Sequence, residues 1–377
     1  MPEDARHLPL ISILSDRIAR VGPIPFAEFM DAALYHPEHG YYSSGRAAIG
    51  REGDFFTSVS VGPLFGCLLA RQFIEMWERL GAPDSFGMVE QGAHDGTLAS
   101  DILTALRVIS PSCFQSLSYT IVEPVPRLRG QQQCALAAYS QVKWAASLDE
   151  ITPCSGVFFS NELLDAFPFH VVRWSAARQS WNERRVDWQA DRLTWVDGPL
   201  SSAALSERLA RLPHPLPDGY TTEIRLGTDR WLAQVADRLR QGWLLVIDYG
   251  YPRYEYFRPE RINGTMSGYA RHQRVSDLLA APGGCDLTAH VEFTSLIEQA
   301  ASHGLSLTAF TDQHRFAAGL ASLHFPDTEE MTPQRDRDLR AFKTLMHPEM
   351  LGAAFKVVCF ETDVRPDPPL TGFRFSS

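Results

Sequence analysis

Four short apolar runs in this chain each close on an acid. They are Phe86-Gly87-Met88-Val89-Glu90, Tyr119-Thr120-Ile121-Val122-Glu123, Val157-Phe158-Phe159-Ser160-Asn161-Glu162 and Trp243-Leu244-Leu245-Val246-Ile247-Asp248. A carboxylate can accept hydrogen bonds from hydroxyls, hold a cation or take up a proton, and an amide beside it can orient donor or acceptor. Runs of this length and composition read as strands buried on both faces of a parallel sheet. Ligands of open α/β sheets bind beyond the carboxyl ends of such strands. The four carboxylates and the Asn161 amide are therefore expected along one edge of one crevice.

The first run continues into Gly92-Ala93-His94-Asp95-Gly96-Thr97, and Leu98 to Leu106 then reads as a helix. Glycine lets backbone approach a ligand closely, and the start of the helix at Thr97 offers free N–H groups. The turn would suit a dinucleotide or S-adenosylmethionine, with a plain α/β turn as the alternative. Dinucleotide sites use G-x-G-x-x-G; here the pattern is Glu90-x-Gly92-x-x-x-Gly96. An acid directly before the turn repels a pyrophosphate and suits a sulfonium ligand with an ammonium group. Glu123, at the end of the second run, is placed to accept from ribose hydroxyls. Both favour S-adenosylmethionine over NAD.

Other residues offer acceptor chemistry. Glu162 and Asp165 can grip a guanidinium bidentately and leave one nitrogen free; a salt bridge for Glu162 and a helix N-cap for Asp165 are the structural alternatives. Asn161 can orient either donor or acceptor. Asp248-Tyr249 is expected to line the acceptor pocket, although Tyr249 also reads as a core residue. His290 is a candidate proton acceptor or a structural hydrogen bonder. Asp54, in a long loop, is placed to close over the donor. His36 and His39 have the look of a metal pair, but Pro37 and Gly40 mark a turn and no further ligand follows.

The elements that must position these residues follow from pattern. Helical spacing covers residues 8–20, a second helix runs from Phe26 to Leu34, and residues 36–62 form a Gly/Ser/Tyr-rich loop expected to be an ordered lid. Leu64 to Leu80 is an amphipathic helix. Trp174, Trp181, Trp188 and Trp195 recur every seven residues without heptad partners, so 169–198 reads as a β-meander with packing tryptophans. A Ser/Pro-rich connection over 199–219 leads to a helix over 227–240. Helices at 293–301, 315–324 and 333–346 and strands at 305–311 and 353–360 complete the fold, with a mobile tail after Pro366. The expected organisation is N-terminal helices and lid over 1–62, a core over 63–360 with an insertion over 169–226, and a tail over 361–377.

Composition bounds the rest. The 377 residues are 45% hydrophobic, which supports a full core. Net charge is −10, from 45 acids against 35 bases, which disfavours nucleic acid as partner and is compatible with a cationic protein or peptide substrate. Cys67, Cys113, Cys134, Cys154, Cys285 and Cys359 form no C-x-x-C pair, so neither a zinc site nor a disulfide framework is expected. No apolar stretch reaches membrane-span length and the N-terminus lacks a signal-peptide pattern, so a cytoplasmic protein is the expectation. Exposed meander strands would permit a homodimer.

Taken in order, these residues resemble the MidA-like methyltransferases, a family that includes a protein arginine methyltransferase. The elements are Gly22-Pro23-Ile24, Phe29-Met30, Pro37-x-x-Gly40-Tyr41-Tyr42, Gly53-Asp54-Phe55-Phe56-Thr57-Ser58 and Phe65-Gly66. Asn161-Glu162-Leu163-Leu164-Asp165-Ala166-Phe167-Pro168 and Asp248-Tyr249-Gly250 follow. Gly264-Thr265, Tyr269, His272, Pro282-Gly283, Asp286-Leu287-Thr288-Ala289-His290-Val291 and Phe355-Lys356-Val357 complete the set. The resemblance implies a Rossmann-like, seven-stranded class I methyltransferase fold, S-adenosylmethionine as donor and a protein arginine as acceptor. It also places Gly53, Asp54 and Thr57 with Glu90, Gly92, Gly96, Thr97, Glu123 and Asn161 in the donor site. Two positions depart from the family pattern: His94 replaces the middle glycine of E-x-G-x-G-x-G, and Thr57-Ser58-Val59-Ser60 lacks the glutamate of T-x-P-E. Those departures keep in view a degenerate fold acting as an assembly protein, and the meander and lid loop, which could recut the pocket, keep in view an enzyme for a small or carrier-bound acceptor.

Overall fold

The four acid-terminated runs are strands of one sheet. The computed structural model describes residues 9–45, 58–213, 216–270, 273–325, 332–347, 352–364 and 368–376. In chain order the strands are β1 (Phe86–Gln91), β2 (Leu117–Val122), β3 (Val142–Ala145), β4 (Cys154–Asn161), β5 (Leu239–Tyr251), β6 (Ser306–Asp312) and β7 (Phe355–Thr362). They lie in the order β3-β2-β1-β4-β5-β7-β6. β1 through β5 pair in parallel, and β7 runs antiparallel to both β5 and β6. This is the mixed seven-stranded α/β sheet expected of a class I methyltransferase.

The runs are continuously apolar because the sheet is covered on both faces. Phe86, Met88, Tyr119, Ile121, Val157, Phe159, Trp243, Leu245, Ile247 and Val357 enter one core with the helices Leu64–Arg79, Thr97–Ile109 and Gln313–His324. Their alternates Val89, Phe158, Leu244, Val246, Val358 and Phe360 are buried as well. Burying each such side chain contributes about 1.5–3 kcal/mol, so the sheet is the rigid element of its unit.

The chain forms two units. The sheet unit takes residues 56–163, 231–250 and 294–377; the other takes 1–55, 164–230 and 251–293. The expected insertion over 169–226 therefore clusters with the N-terminal helices, and so does 251–293, which pattern alone assigns to the core. The reason is strand pairing. The meander of His170–Ser175, Ser180–Gln189 and Arg192–Gly198 gains Thr221–Ile224 at one edge and Ile24–Pro25 at another. Its tryptophans pack: Trp174 opposes Trp181 with ring centroids 5.4 Å apart, and Trp195 stacks on Phe26 at 5.0 Å.

Three local expectations change. The Ser/Pro-rich connection contains a helix, Ala203–Leu209, capped by the Ser202 hydroxyl accepting from the Leu205 amide at 3.2 Å and anchored by buried Leu205 and Leu209. β5 runs past Asp248 to Tyr251, and antiparallel β7 pairs with it as far as Tyr249. The tail is docked, not mobile, over its described residues 368–376. Phe373 is buried against Phe316, the Thr371 and Gly372 amides donate to Glu75 and Gln72, and Arg79 donates to the Pro368 and Pro369 carbonyls. Of the lid, residues 46–57 lie outside the described residues, and with them Gly53, Asp54 and Thr57.

Candidate active site

The parallel registers bring the predicted site residues of the sheet unit to one edge. Gln91 is level with Val122 on β2 and with Ser160 on β4, and Ile247 on β5 is level with Asn161. The residues that follow, Gly92, Glu123, Glu162 and Asp248, therefore lie at the same carboxyl edge. Gly96 and Thr97 close the turn that starts there, and Tyr249 is next along β5.

The turn is held by its own backbone and side chains. Gly92 and Gly96 both have φ of +85°, the left-handed region that favours glycine. A Cβ on Gly92 would meet the Leu163 side chain at 3.3 Å, so the backbone there is closely overlaid. His94 also lies in this region, with φ of +46°. His94 thus occupies a conformation that suits glycine, and the histidine carries the strain. Asp95 accepts from the Thr97 amide at 2.9 Å, which fixes the start of the helix Thr97–Ile109.

Glu90 is 2% exposed and accepts a 2.6 Å hydrogen bond from the Tyr119 hydroxyl on β2. Burial raises its carboxyl to about 7, against the Tyr119 bond, which favours the charged form; the charge of Asp95 adds to the rise. Glu123 is also buried, and burial raises its pKa against the bonds from Val125 and Gln132. Its Oε1 accepts from the Val125 amide at 2.9 Å and its Oε2 from Gln132 Nε2 at 3.0 Å. Each oxygen retains a second acceptor position, which is what a ribose diol requires.

At the end of β4, Asn161 Nδ2 donates to Glu162 Oε1 at 3.0 Å, while the buried Asn161 Oδ1 has no partner among the described residues. Glu162 has φ of +53° although its amide still donates to the Ile247 carbonyl at 2.9 Å. A non-glycine residue in this region is strained, and such strain concentrates at functional sites. Asp248 is fully buried and accepts from the Tyr249 amide at 2.9 Å. Tyr249 meets Phe355 edge-on at 5.6 Å and packs on the core, the bland alternative read from sequence.

Asp165 and His290 belong to the other unit. Asp165 Oδ2 accepts from the Thr288 hydroxyl at 2.9 Å, and its carbonyl accepts from Arg225. No helix starts at Asp165, so the N-cap alternative falls away. His290 lies edge-on to Tyr251, its carbonyl accepts from Arg225 at 2.6 Å and its amide donates to the Thr265 hydroxyl. Burial, then the charges of Arg225 and Arg261, push its imidazole down to about 4. The near-neutral titration expected of His290 is therefore absent, and so weak a base is poorly matched to proton transfer at neutral pH. His36 Nδ1 accepts from the Glu38 and His39 amides, which makes the His-x-x-His pattern a turn device.

Sequence reading missed Tyr119, Gln132 and Arg225. Tyr119 opens the second run and its phenol is a partner only once β2 lies beside β1. Gln132 is the middle of three consecutive glutamines and Arg225 lies two residues after Glu223, so nothing in their spacing singles them out.

A mixed α/β sheet whose carboxyl edge carries a glycine turn between Glu90 and Glu123 defines a class I methyltransferase. The chain belongs to the MidA-like family: residues 68–311 match the family described as "Putative S-adenosyl-L-methionine-dependent methyltransferase". It is 28% identical to the human protein arginine methyltransferase NDUFAF7, mitochondrial, over 94% of this chain and 83% of that one. The Drosophila melanogaster homologue is also 28% identical, over 77% of this chain and 69% of that one. A structure from Burkholderia thailandensis bound to S-adenosyl-homocysteine is 31% identical with a TM-score of 0.87, covering 100% of this chain and 97% of that one. Among the described residues, no helix is long and apolar enough to cross a membrane.

Proposed function

We propose that this protein transfers a methyl group from S-adenosylmethionine to an arginine side chain of a protein. The observation that carries the donor half is the buried Asn161 Oδ1, without a partner among the described residues, at the edge where Gly92, Gly96 and Glu123 also lie. These residues fit the donor. Glu123 suits the ribose, the glycine turn the amino-acid end, and Glu90 supplies negative charge for a cationic ligand. S-adenosylmethionine, when bound, supplies a methyl group activated by its sulfonium.

The chain's residues then have to bind and align the acceptor and exclude water. Glu162 is the carboxylate best placed to hold a guanidinium, since Asn161 Nδ2 braces its Oε1. It can also take the proton that the methylated nitrogen sheds. Support for arginine as the acceptor comes from the names of the curated relatives and from this acid. Asp165 spends one oxygen on Thr288, and the reading does not depend on it.

The test is Glu162→Gln assayed with labelled donor against arginine peptides and small acceptors. Loss of peptide methylation by about 100-fold, with S-adenosylhomocysteine binding unchanged, is the expected result. Unaltered methylation, or labelling of small acceptors only, would overturn the assignment.

A further inference from the structure

One side chain ties together three elements of the donor edge. Gln132 lies on the helix Pro126–Ala135 and is fully buried. Its Nε2 donates to the His94 carbonyl in the glycine turn at 2.8 Å and to Glu123 Oε2 at 3.0 Å. Its Oε1 accepts from Trp144 Nε1 on β3 at 3.0 Å. Both amide protons and the amide oxygen are thus in use, and the amide cannot flip without placing a donor against the indole N–H. The Gln132 side chain and Cα also lie where a Cβ on Gly96 would make ordinary contact.

We infer that Gln132 is the positioning residue of the donor site, aiming the Glu123 carboxylate at the ribose diol and holding the strained His94 turn in place. The inference rests on the donor-site reading above. Glu123 needs such a clamp. Its Oε1 is fixed by the neighbouring Val125 amide, but a single bond leaves the carboxylate free to rotate about it. The second bond, from Gln132, fixes the plane, and only then do both oxygens keep a set acceptor direction. Burial makes the bond consequential, since a hydrogen bond to a charged group is stronger than a neutral one and is not readily replaced by water here.

The experiment is calorimetric binding of S-adenosylhomocysteine and of its 2′,3′-dideoxyribose analogue to the full chain and to Gln132→Met. Gln132→Leu is the second variant; it also removes the donor, and its different shape separates the lost bonds from a packing defect. Both variants are expected to bind S-adenosylhomocysteine about 10- to 100-fold more weakly. The loss on the dideoxy analogue, which has no diol for Glu123 to hold, is expected to be less than about 5-fold. An equal loss on both ligands would mean that Gln132 acts on the fold in general, and no loss would mean that it does not act on the site; either overturns the inference. If the unsubstituted protein fails to bind S-adenosylhomocysteine, the donor-site reading itself falls and this inference with it.

Discussion

Glu90→Gln separates what the donor edge does for a ligand from what it costs the fold. The Glu90 carboxyl is raised from 4.5 to about 7, and the side chain is 2% exposed. Between these values the folded chain binds a proton that the unfolded chain has released. Stability therefore falls as pH rises from about 4.5 to about 7 and stays lower above that. The shift corresponds to about 3 kcal/mol. Glutamine carries no charge to desolvate and keeps an oxygen for the Tyr119 hydroxyl. Glu90→Gln is expected to be more stable at pH 8 by up to about 3 kcal/mol, about 4 °C in a melting curve for a chain of this length, and equal to the parent near pH 4.5. Thermal melts of both proteins across pH measure the difference directly. A cationic donor beside Glu90 pulls its pKa down. Binding should then release close to one proton at pH 6 and almost none at pH 8.5, read by calorimetry in buffers of differing ionisation enthalpy. A stability difference that does not grow with pH, or proton uptake on binding, would refute the reasoning.

Three further outcomes follow from positions already described. His94→Gly removes a side chain from φ of +46°; left-handed strain of about 1–2 kcal/mol is relieved against an entropic loss of about 0.5–1, so the urea midpoint should rise slightly. S-adenosylhomocysteine should bind more tightly only if the imidazole also intrudes on the ligand, and a lower midpoint would contradict the strain argument. Phe373→Ala empties a buried site against Phe316 and should destabilise the protein by about 3–5 kcal/mol in urea titrations; a change below 1 kcal/mol would mean that the tail is not docked in solution. The His290 imidazole, held near 4, should stay neutral at pH 5.5 in nitrogen NMR spectra, and an imidazolium signal there would contradict the burial and charge argument.

What was legible in sequence was what depends on local pattern. β1, β2 and β4 are given by unbroken apolar runs, and the helix Pro333–Met346 starts and stops where its spacing predicts. The acids at the strand ends were legible because register carries each to the same edge. Non-local pairing was not. The run ending in Asp248 continues past it because β7, more than a hundred residues later, pairs with it as far as Tyr249. The tail docks because Gln72, Glu75 and Arg79 meet its backbone, contacts that composition does not announce. Gln132 was invisible for the same reason, since its three partners come from three other segments.

Backbone strain adds a level that sequence alone could not show. Residue type disfavours left-handed φ at both His94 and Glu162, yet both adopt it, and both lie at the donor edge. For Glu162 the cause is visible in the sheet. Its amide remains bonded to Ile247 on β5, so the chain leaves β4 while still paired and must turn within one residue. For His94 the carbonyl is fixed by Gln132, which holds the turn although the residue there is not glycine. The strain at His94 is thus a cost absorbed by a buried clamp. On this account Gln132→Met and His94→Gly should be coupled: the weaker binding caused by losing the clamp should be smaller in a turn that glycine has already relaxed. Strictly additive binding losses in the double variant would show that clamp and turn act independently.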